Sequence, residues 1–360
     1  MKTLKILTFC LAMAGFTLNS SAQLNEIDFL KGGLADAQVL FQEYLTPYAN
    51  AFGANLNAGW YNTGKPHSTL GFDFTITFNA AWAPPFAKSF DLSTLGLSGT
   101  VTGDPVTPTI AGKRSTDTRL LYTVENPVSP GTDITLADYN MPGGTGINVI
   151  PLPMAQLGIG LPLGTDVSVR YLPSLDFGKY GSIGLWGVGL KHSILQHIPV
   201  LKRVPVIDAS LQGGFTRLNT FANINYGPDD LLGTNLTTNT DPKKWDNQKI
   251  TLGVDAWTVN LVISQTLPVV TFYQAIGYSN TKTNVALTGN FPYNSVQPDG
   301  SLVVTDDDFY TDPFDVEIQN SKDLRLNAGM RIKLGVLTIH ADYTKANYSV
   351  VTAGIGISFR

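Results

Sequence analysis

Along most of this chain apolar and polar residues alternate one for one. In LGFDFTITFNAAW, Phe72, Phe74, Ile76, Phe78, Ala80 and Trp82 stand on one side and Asp73, Thr75, Thr77 and Asn79 on the other. That period of two is the signature of a strand. DLRLNAGMRIKLG repeats it, with Leu324, Leu326, Ala328, Met330, Ile332 and Leu334 opposed to Asp323, Arg325, Asn327, Arg331 and Lys333. Val167, Val169 and Tyr171 oppose Asp166, Ser168 and Arg170, and Ile207, Ala209, Leu211 and Phe215 oppose Asp208, Ser210, Gln212 and Thr216. The segments 250–258 and 337–343 behave likewise, and the closing VVTAGIGISFR alternates up to Phe359. Residues 24–48 break the pattern. There Ile27, Leu30, Leu34, Ala37, Phe41, Tyr44 and Tyr48 recur at three and four, which predicts a helix stopped by Pro47.

A period of two suits a soluble sandwich, with its polar face in water, or a membrane barrel, with its apolar face in lipid. The alternating runs are about 9 to 13 residues, the length of a tilted membrane-crossing strand. Their apolar faces carry no charge, and aromatics sit near strand ends at Trp60, Tyr61, Trp82, Tyr171, Tyr343, Tyr348 and Phe359, as at a membrane interface. Connections sort into tight turns at 164–165, 267–268 and 335–336 and long polar loops at 218–247 and 283–320. The expectation is therefore an all-β chain: a transmembrane antiparallel β-barrel over residues 51–360, preceded by a helical segment at 23–50 that is a plug or a periplasmic helix. Strands are expected near 54–62, 70–82, 153–163, 165–173, 180–191, 204–217, 248–265, 268–282, 321–334, 336–345 and 348–359. Because single-chain barrels have even counts, a further strand is expected at 116–125, for about 12 in all, with 10 to 14 as the range.

Composition narrows the setting. MKTLKILTFCLAMAGFTLNSSAQ has a basic front, an apolar core and small residues before a cleavage point between Ala22 and Gln23, the form of a secretory signal. Its removal takes Cys10, the only cysteine, so no disulfide is available to the exported chain. The 24 basic residues less Lys2 and Lys5, against 28 acidic ones, leave a net charge of −6. With no basic cluster, nucleic acid is not an expected partner. The expected location is the outer membrane, in contact with its lipid and lipopolysaccharide. Biogenesis through barrel-assembly machinery fits the aromatic near the end of the last strand, although Arg360 follows Phe359. KHSILQHIPVLKRVP, between two strands, is amphipathic and basic and predicts an interfacial helix on the turn side.

Little chemistry is legible. The residues expected to face the lumen are Asp73, Asp166, Asp208, Asp255 and Asp342 with Arg170, Arg325, Arg331, Lys333 and His340. They either pair across a filled interior or line a ligand path. Of the four histidines, His192 and His197 lie five apart, on different faces of any regular element, and are not expected to share a metal. The acidic run Asp306, Asp307 and Asp308 lacks the spacing of a calcium loop, and GGTG at 143–146 lacks the Lys-Ser or Lys-Thr of a phosphate cradle. No serine sits at a nucleophile turn, so neither an enzyme nor a bound cofactor is expected.

Four stretches, YLTPYANAFGANLNAGWYNTGKP, PMAQLGIGLPLGTDVSVRYLP, GVGLKHSILQHIPVLKRVPVIDASLQGGFTRL and LTIHADYTKANYSVVTAGIGISFR, resemble an uncharacterised family of Gram-negative outer-membrane barrels. A more distant similarity is to outer-membrane long-chain fatty acid transporters, which place an N-terminal plug before a barrel. The expected function is passive passage of a small hydrophobic or amphipathic compound, gated by the N-terminal segment. Residues 23–50 do not match that plug, and no binding residue carries over. The alternative is a closed barrel whose long outer loops bind a surface partner.

Overall fold

The computed structural model describes residues 27–359 apart from 179–180, 199–205, 232–240 and 320–321. The signal segment with its Ala22–Gln23 cleavage point lies outside the described residues, as do most of the residues expected to continue an interfacial helix after the single turn Leu195–His197.

Ten strands form a closed antiparallel barrel: β1 Phe72–Trp82, β2 Val149–Leu161, β3 Thr165–Asp176, β4 Ser182–Ser193, β5 Ile207–Asn223, β6 Lys249–Thr266, β7 Val270–Thr288, β8 Asp323–Leu334, β9 Leu337–Lys345 and β10 Val350–Phe359. Each pairs with its neighbours in sequence, and β10 returns to β1 in the register Phe72↔Phe359 through Ala81↔Val350. An additional strand, Phe314–Gln319, pairs with β7 where β7 outruns β8. Ten lies within the expected range, and the shortfall from 12 has two sources. Residues 54–62 are not a strand, because the helix continues to Asn57 and the chain then turns through Gly59 at φ +70°. Arg119–Glu125 is a strand, but it pairs with Thr100–Thr102 and Asp133–Asn140 in a separate sheet outside the barrel.

The turns around 162–164, 267–269 and 335–336 lie at the barrel end where β1 begins and β10 finishes. The long excursions 83–148, 224–248 and 289–322 all leave from the opposite end. The first of these is the longest. Together they build a cap of short strands with its own apolar core, including Leu120, Tyr139, Phe291 and Phe314.

On the barrel's outer wall a continuous apolar belt runs up from the turn end, through residues such as Phe74, Ile159, Val188, Leu261 and Ile357. An aromatic row ends it on β3 to β7. Tyr171 pairs across to Trp186, Trp186 packs on Phe215 at 5.6 Å, and Trp257 packs on Tyr278 at 5.7 Å. Above that row the hydrophobic phase inverts. Leu152 and Met154, Ile183 and Leu185, Leu218, and Val254 and Ala256 point inward and are buried. No register shift accompanies the change in β6, so the backbone stays regular while its surroundings switch from lipid to an interior packing partner.

That partner is helix α1, Leu34–Asn57, which is buried along most of its length. It does not stop at Pro47. Proline removes one intrahelical bond and crowds the preceding turn, a cost of about 3 kcal/mol in an exposed helix. Here Pro47 is itself buried and packing around the helix offsets that cost; the Thr46 hydroxyl also bonds back to the Gln42 carbonyl at 2.6 Å. The start of the segment, Phe29 and Leu30, belongs to the cap core, while Leu56 lies in the cluster just above the aromatic row. The chain therefore enters at the loop end, descends the lumen as α1, continues as coil over 58–71, and joins β1 at the turn end.

Candidate functional site

Below α1 the inner wall is polar. Small residues leave room there for the coil, and charged residues hold it. Arg170 is fully buried: its Nη1 donates to the Leu56 carbonyl at 2.9 Å, its Nη2 to the Ala58 carbonyl at 2.8 Å, and its Nε to Gln156 Oε1 at 2.9 Å. Arg325 donates to the Asn57 carbonyl at 2.6 Å. Two wall arginines thus satisfy carbonyls at the C-terminus of α1, the end at which the helix dipole favours positive charge. The Arg170 guanidinium also lies 3.6 Å from the centre of the Trp60 ring. On its other side Trp60 occupies a notch that exists because two wall positions lack side chains. A Cβ at Gly189 or Gly214 would come within 2.6 Å or 2.4 Å of the indole.

Lower in the lumen Asp166 accepts from the His67 backbone at 2.9 Å, faces His67 Nδ1 at 3.0 Å and pairs with Lys191 at 3.0 Å. Asp73 lies 3.6 Å from His67 Nε2. Arg331 donates to Asn62 Oδ1 at 3.2 Å, and Gly64 donates its backbone N–H to the Ser264 hydroxyl at 2.9 Å. Asp342 accepts from Tyr273 at 2.9 Å and from Asn327 at 2.8 Å. Asp208 and Lys333 are half-buried on the inner face near the turn end. His340 is buried with neither ring nitrogen bonded to protein.

Nine of the ten expected lumen residues therefore face inward. Five of them, Asp73, Asp166, Arg170, Arg325 and Arg331, lie against the chain threaded through the bore and hold it. Asp255 is the exception. It lies on the outer face of β6 and forms a bidentate pair with Arg217 at 2.5 Å. Its neighbours Val254 and Ala256 face in because this stretch stands above the belt, where the apolar face packs on α1. The sequence reasoning missed Trp60, Gln156 and the coil itself. A signal was present in the inward glycines at 187, 189 and 214, which leave a volume that something in the chain must fill.

A cavity of about 20 Å3 remains beside Trp60, lined among others by Asn62, His67, Asp166, Gln212 and His340. That is room for a single water. On the outer wall an apolar hollow of about 360 Å3 lies between Phe78, Met330, Ile339, Ala353 and Ile355. His340 borders both spaces. In the cap, burial raises the Asp28 carboxyl above its ordinary range; Lys31, 2.7 Å away, opposes the rise and Asp230 adds to it. Asp36, near the start of α1, accepts from the Ser98 backbone at 2.8 Å and so ties the helix to the cap. No group of three or more metal-ligating side chains occurs among the described residues.

The profile of a family of unknown function, DUF6588, matches residues 1–359. The chain belongs to this family. An uncharacterised barrel family is what the sequence motifs resembled, and the fold described above is that of a membrane barrel. No curated protein sequence matches the chain. Among solved structures, the outer membrane protease OmpT from Escherichia coli aligns at 8% identity with a TM-score of 0.33, over 80% of this chain and 97% of its own. Ail, the attachment invasion locus protein of Yersinia pestis, aligns at 8% and 0.24 over 81% and 99%, and the Escherichia coli outer membrane transporter YddB at 8% and 0.28 over 81% and 41%. At such scores none of their activities carries over to this chain.

Proposed function

We propose that this protein is an outer-membrane barrel closed at rest by its own N-terminal segment, and that it works through its folded cap, which binds a partner at the cell surface. The observation that carries this reading is the occupied lumen: α1 and the coil fill it, and the cap is built around the start of that same segment. Such a barrel conducts nothing while the segment stays in place. Its belt contacts outer-membrane lipid and lipopolysaccharide, and its closing strand is delivered by the barrel-assembly machinery.

The purified protein in planar bilayers is expected to show no steady conductance; a steady open pore in the unaltered protein would sink the closed reading. Orientation is tested in intact cells, because no cysteine follows Cys10. Ala35→Cys, exposed at the loop end, should react with a membrane-impermeant maleimide, whereas Leu70→Cys at the turn end should react only after permeabilisation. The reverse result would turn the barrel over and place the cap in the periplasm.

A second reading has one observation in its favour. His340 borders both the luminal cavity and the apolar hollow on the outer wall, and it packs on Gly354, where an added Cβ would meet its ring at 2.2 Å, so a small amphipathic compound that displaced the coil would have a sideways exit into the membrane at that point. Uptake of fatty acids or hydrocarbons into proteoliposomes, abolished by a bulky residue at Gly354 in a protein that still folds, would favour this passage over the closed barrel.

A further inference from the structure

The turn between β4 and β5 brings together two histidines that their sequence spacing seemed to separate. His192 ends the outward face of β4, and His197 closes the single helical turn Leu195–His197. Their Nε2 atoms face each other at 3.1 Å, with ring centres 5.4 Å apart. The turn is fixed by backbone bonds from Ser193 to the Gly164 carbonyl at 2.9 Å and from Ile194 to the Ala209 carbonyl at 3.0 Å. His192 Nδ1 lies 2.7 Å from the Thr165 hydroxyl. The Gln196 amide, anchored on the Leu163 carbonyl at 2.8 Å, reaches His192 and His197 Nε2 at 3.0 and 3.3 Å.

We propose that this pair is a binding site for a divalent transition metal, of the zinc, copper or nickel class, on the turn-end rim of the barrel. Imidazole nitrogens bind these ions at about 2.0–2.1 Å, and two such bonds at a tetrahedral angle place the nitrogens roughly 3.3 to 3.4 Å apart. The observed separation is within a few tenths of an ångström of that bite, and a tilt of the two rings about their own side-chain torsions turns both lone pairs toward one ion. With Nδ1–H donated to Thr165, His192 keeps the Nε2 lone pair for the metal, which is the outer-shell orientation that metal-bound histidines commonly show. His197 is exposed and His192 half-exposed, so the ion arrives from water. The remaining coordination positions belong to water or to the Gln196 carboxamide oxygen after its amide turns over. One Gln196 amide hydrogen is held by the Leu163 carbonyl and the other is directed at the histidine nitrogens, from which the metal displaces it.

The test uses the tag-free full-length protein in detergent, stripped with EDTA and titrated calorimetrically with Zn2+, Ni2+ and Cu2+. One equivalent is expected to bind saturably, with the Cu2+ complex showing nitrogen hyperfine splitting from two imidazoles. His192→Gln and His197→Gln should each weaken binding at least tenfold, and Thr165→Val, which leaves both ligands in place, about tenfold. Heat-modifiable migration identifies variants that retain the barrel. Absence of saturable binding, or equal binding by the unaltered protein and both histidine variants, would overturn the proposal and leave a hydrogen-bonded histidine pair.

Discussion

The two halves of the lumen are filled by the same segment but by opposite means. Toward the loop end α1 meets an apolar wall, and Phe41, Tyr44 and Leu56 are buried against the barrel or cap. Toward the turn end the last residues of α1 and the coil meet a polar wall, where Arg170, Arg325 and Arg331 donate directed bonds to them and Asp166 accepts one. Apolar packing is insensitive to angle and adds up over area, whereas charge-assisted bonds fix individual atoms and are costly to leave unmade. The upper half therefore sets how firmly the segment stays, and the lower half sets its course through the bore.

The sharpest way to separate these roles is a pair of truncations. Phe41→Ala removes a ring that contacts both Phe29 and Phe314, and should destabilise the protein by about 3 to 5 kcal/mol in urea unfolding while the bilayer conductance stays at baseline. Arg170→Ala strands two buried carbonyls and should cost about 3 kcal/mol, but with transient openings in the bilayer because the coil has lost its anchor. Equal leakage from both variants would erase the distinction.

Gly214→Ala should cost about 1 to 3 kcal/mol by pushing on Trp60. That cost should shrink in a Trp60→Ala background, and full additivity would show that the notch does not seat the indole. Asp255→Asn should lower stability by no more than about 1 kcal/mol, and less at high salt, because its partner Arg217 is exposed on the outer face. A larger loss would return Asp255 to the interior.

The smallest effect concerns Asp28 in the cap. Its folded carboxyl titrates above the unfolded value of 3.8, so the folded form binds the proton more tightly and the charged carboxylate opposes folding. Asp28→Asn should therefore stabilise slightly at neutral pH. The advantage should fade as pH falls through the raised folded value and be gone below 3.8. A constant advantage across that range would assign the effect to something other than charge.

The barrel was legible in the sequence because lipid imposes a strict rule on alternate residues, and the runs at 70–82, 321–334 and 348–359 obey it. The even count and the sides of the turns were legible for the same reason. The helix end was not. Pro47 reads as a stop when local chemistry decides, and only the surrounding wall, which is distant in sequence, carries the helix past it. Asp255 misled for a related reason: alternation shows that two faces differ but not which one is inside, and above the aromatic row the answer reverses. The inner charges were found by type, while the partners of Arg170 and Arg325 were backbone carbonyls at 56–58, which no side-chain pattern marks.

The seam between Phe72 and Phe359 has a consequence for the order of events. The lower part of α1 and most of the coil lie inside the ring that this seam closes, and both ends of the segment are tied, one into the cap and the other into β1. Threading the segment through an already closed ring of ten hydrogen-bonded strands would require α1 to pass the wall arginines Arg170 and Arg325 that now hold its C-terminus. The segment is therefore expected to lie along the open sheet when the first and last strands meet. The N-terminal chain is then the template around which the wall is wrapped, and the final zipping of β1 to β10 is the step that traps it.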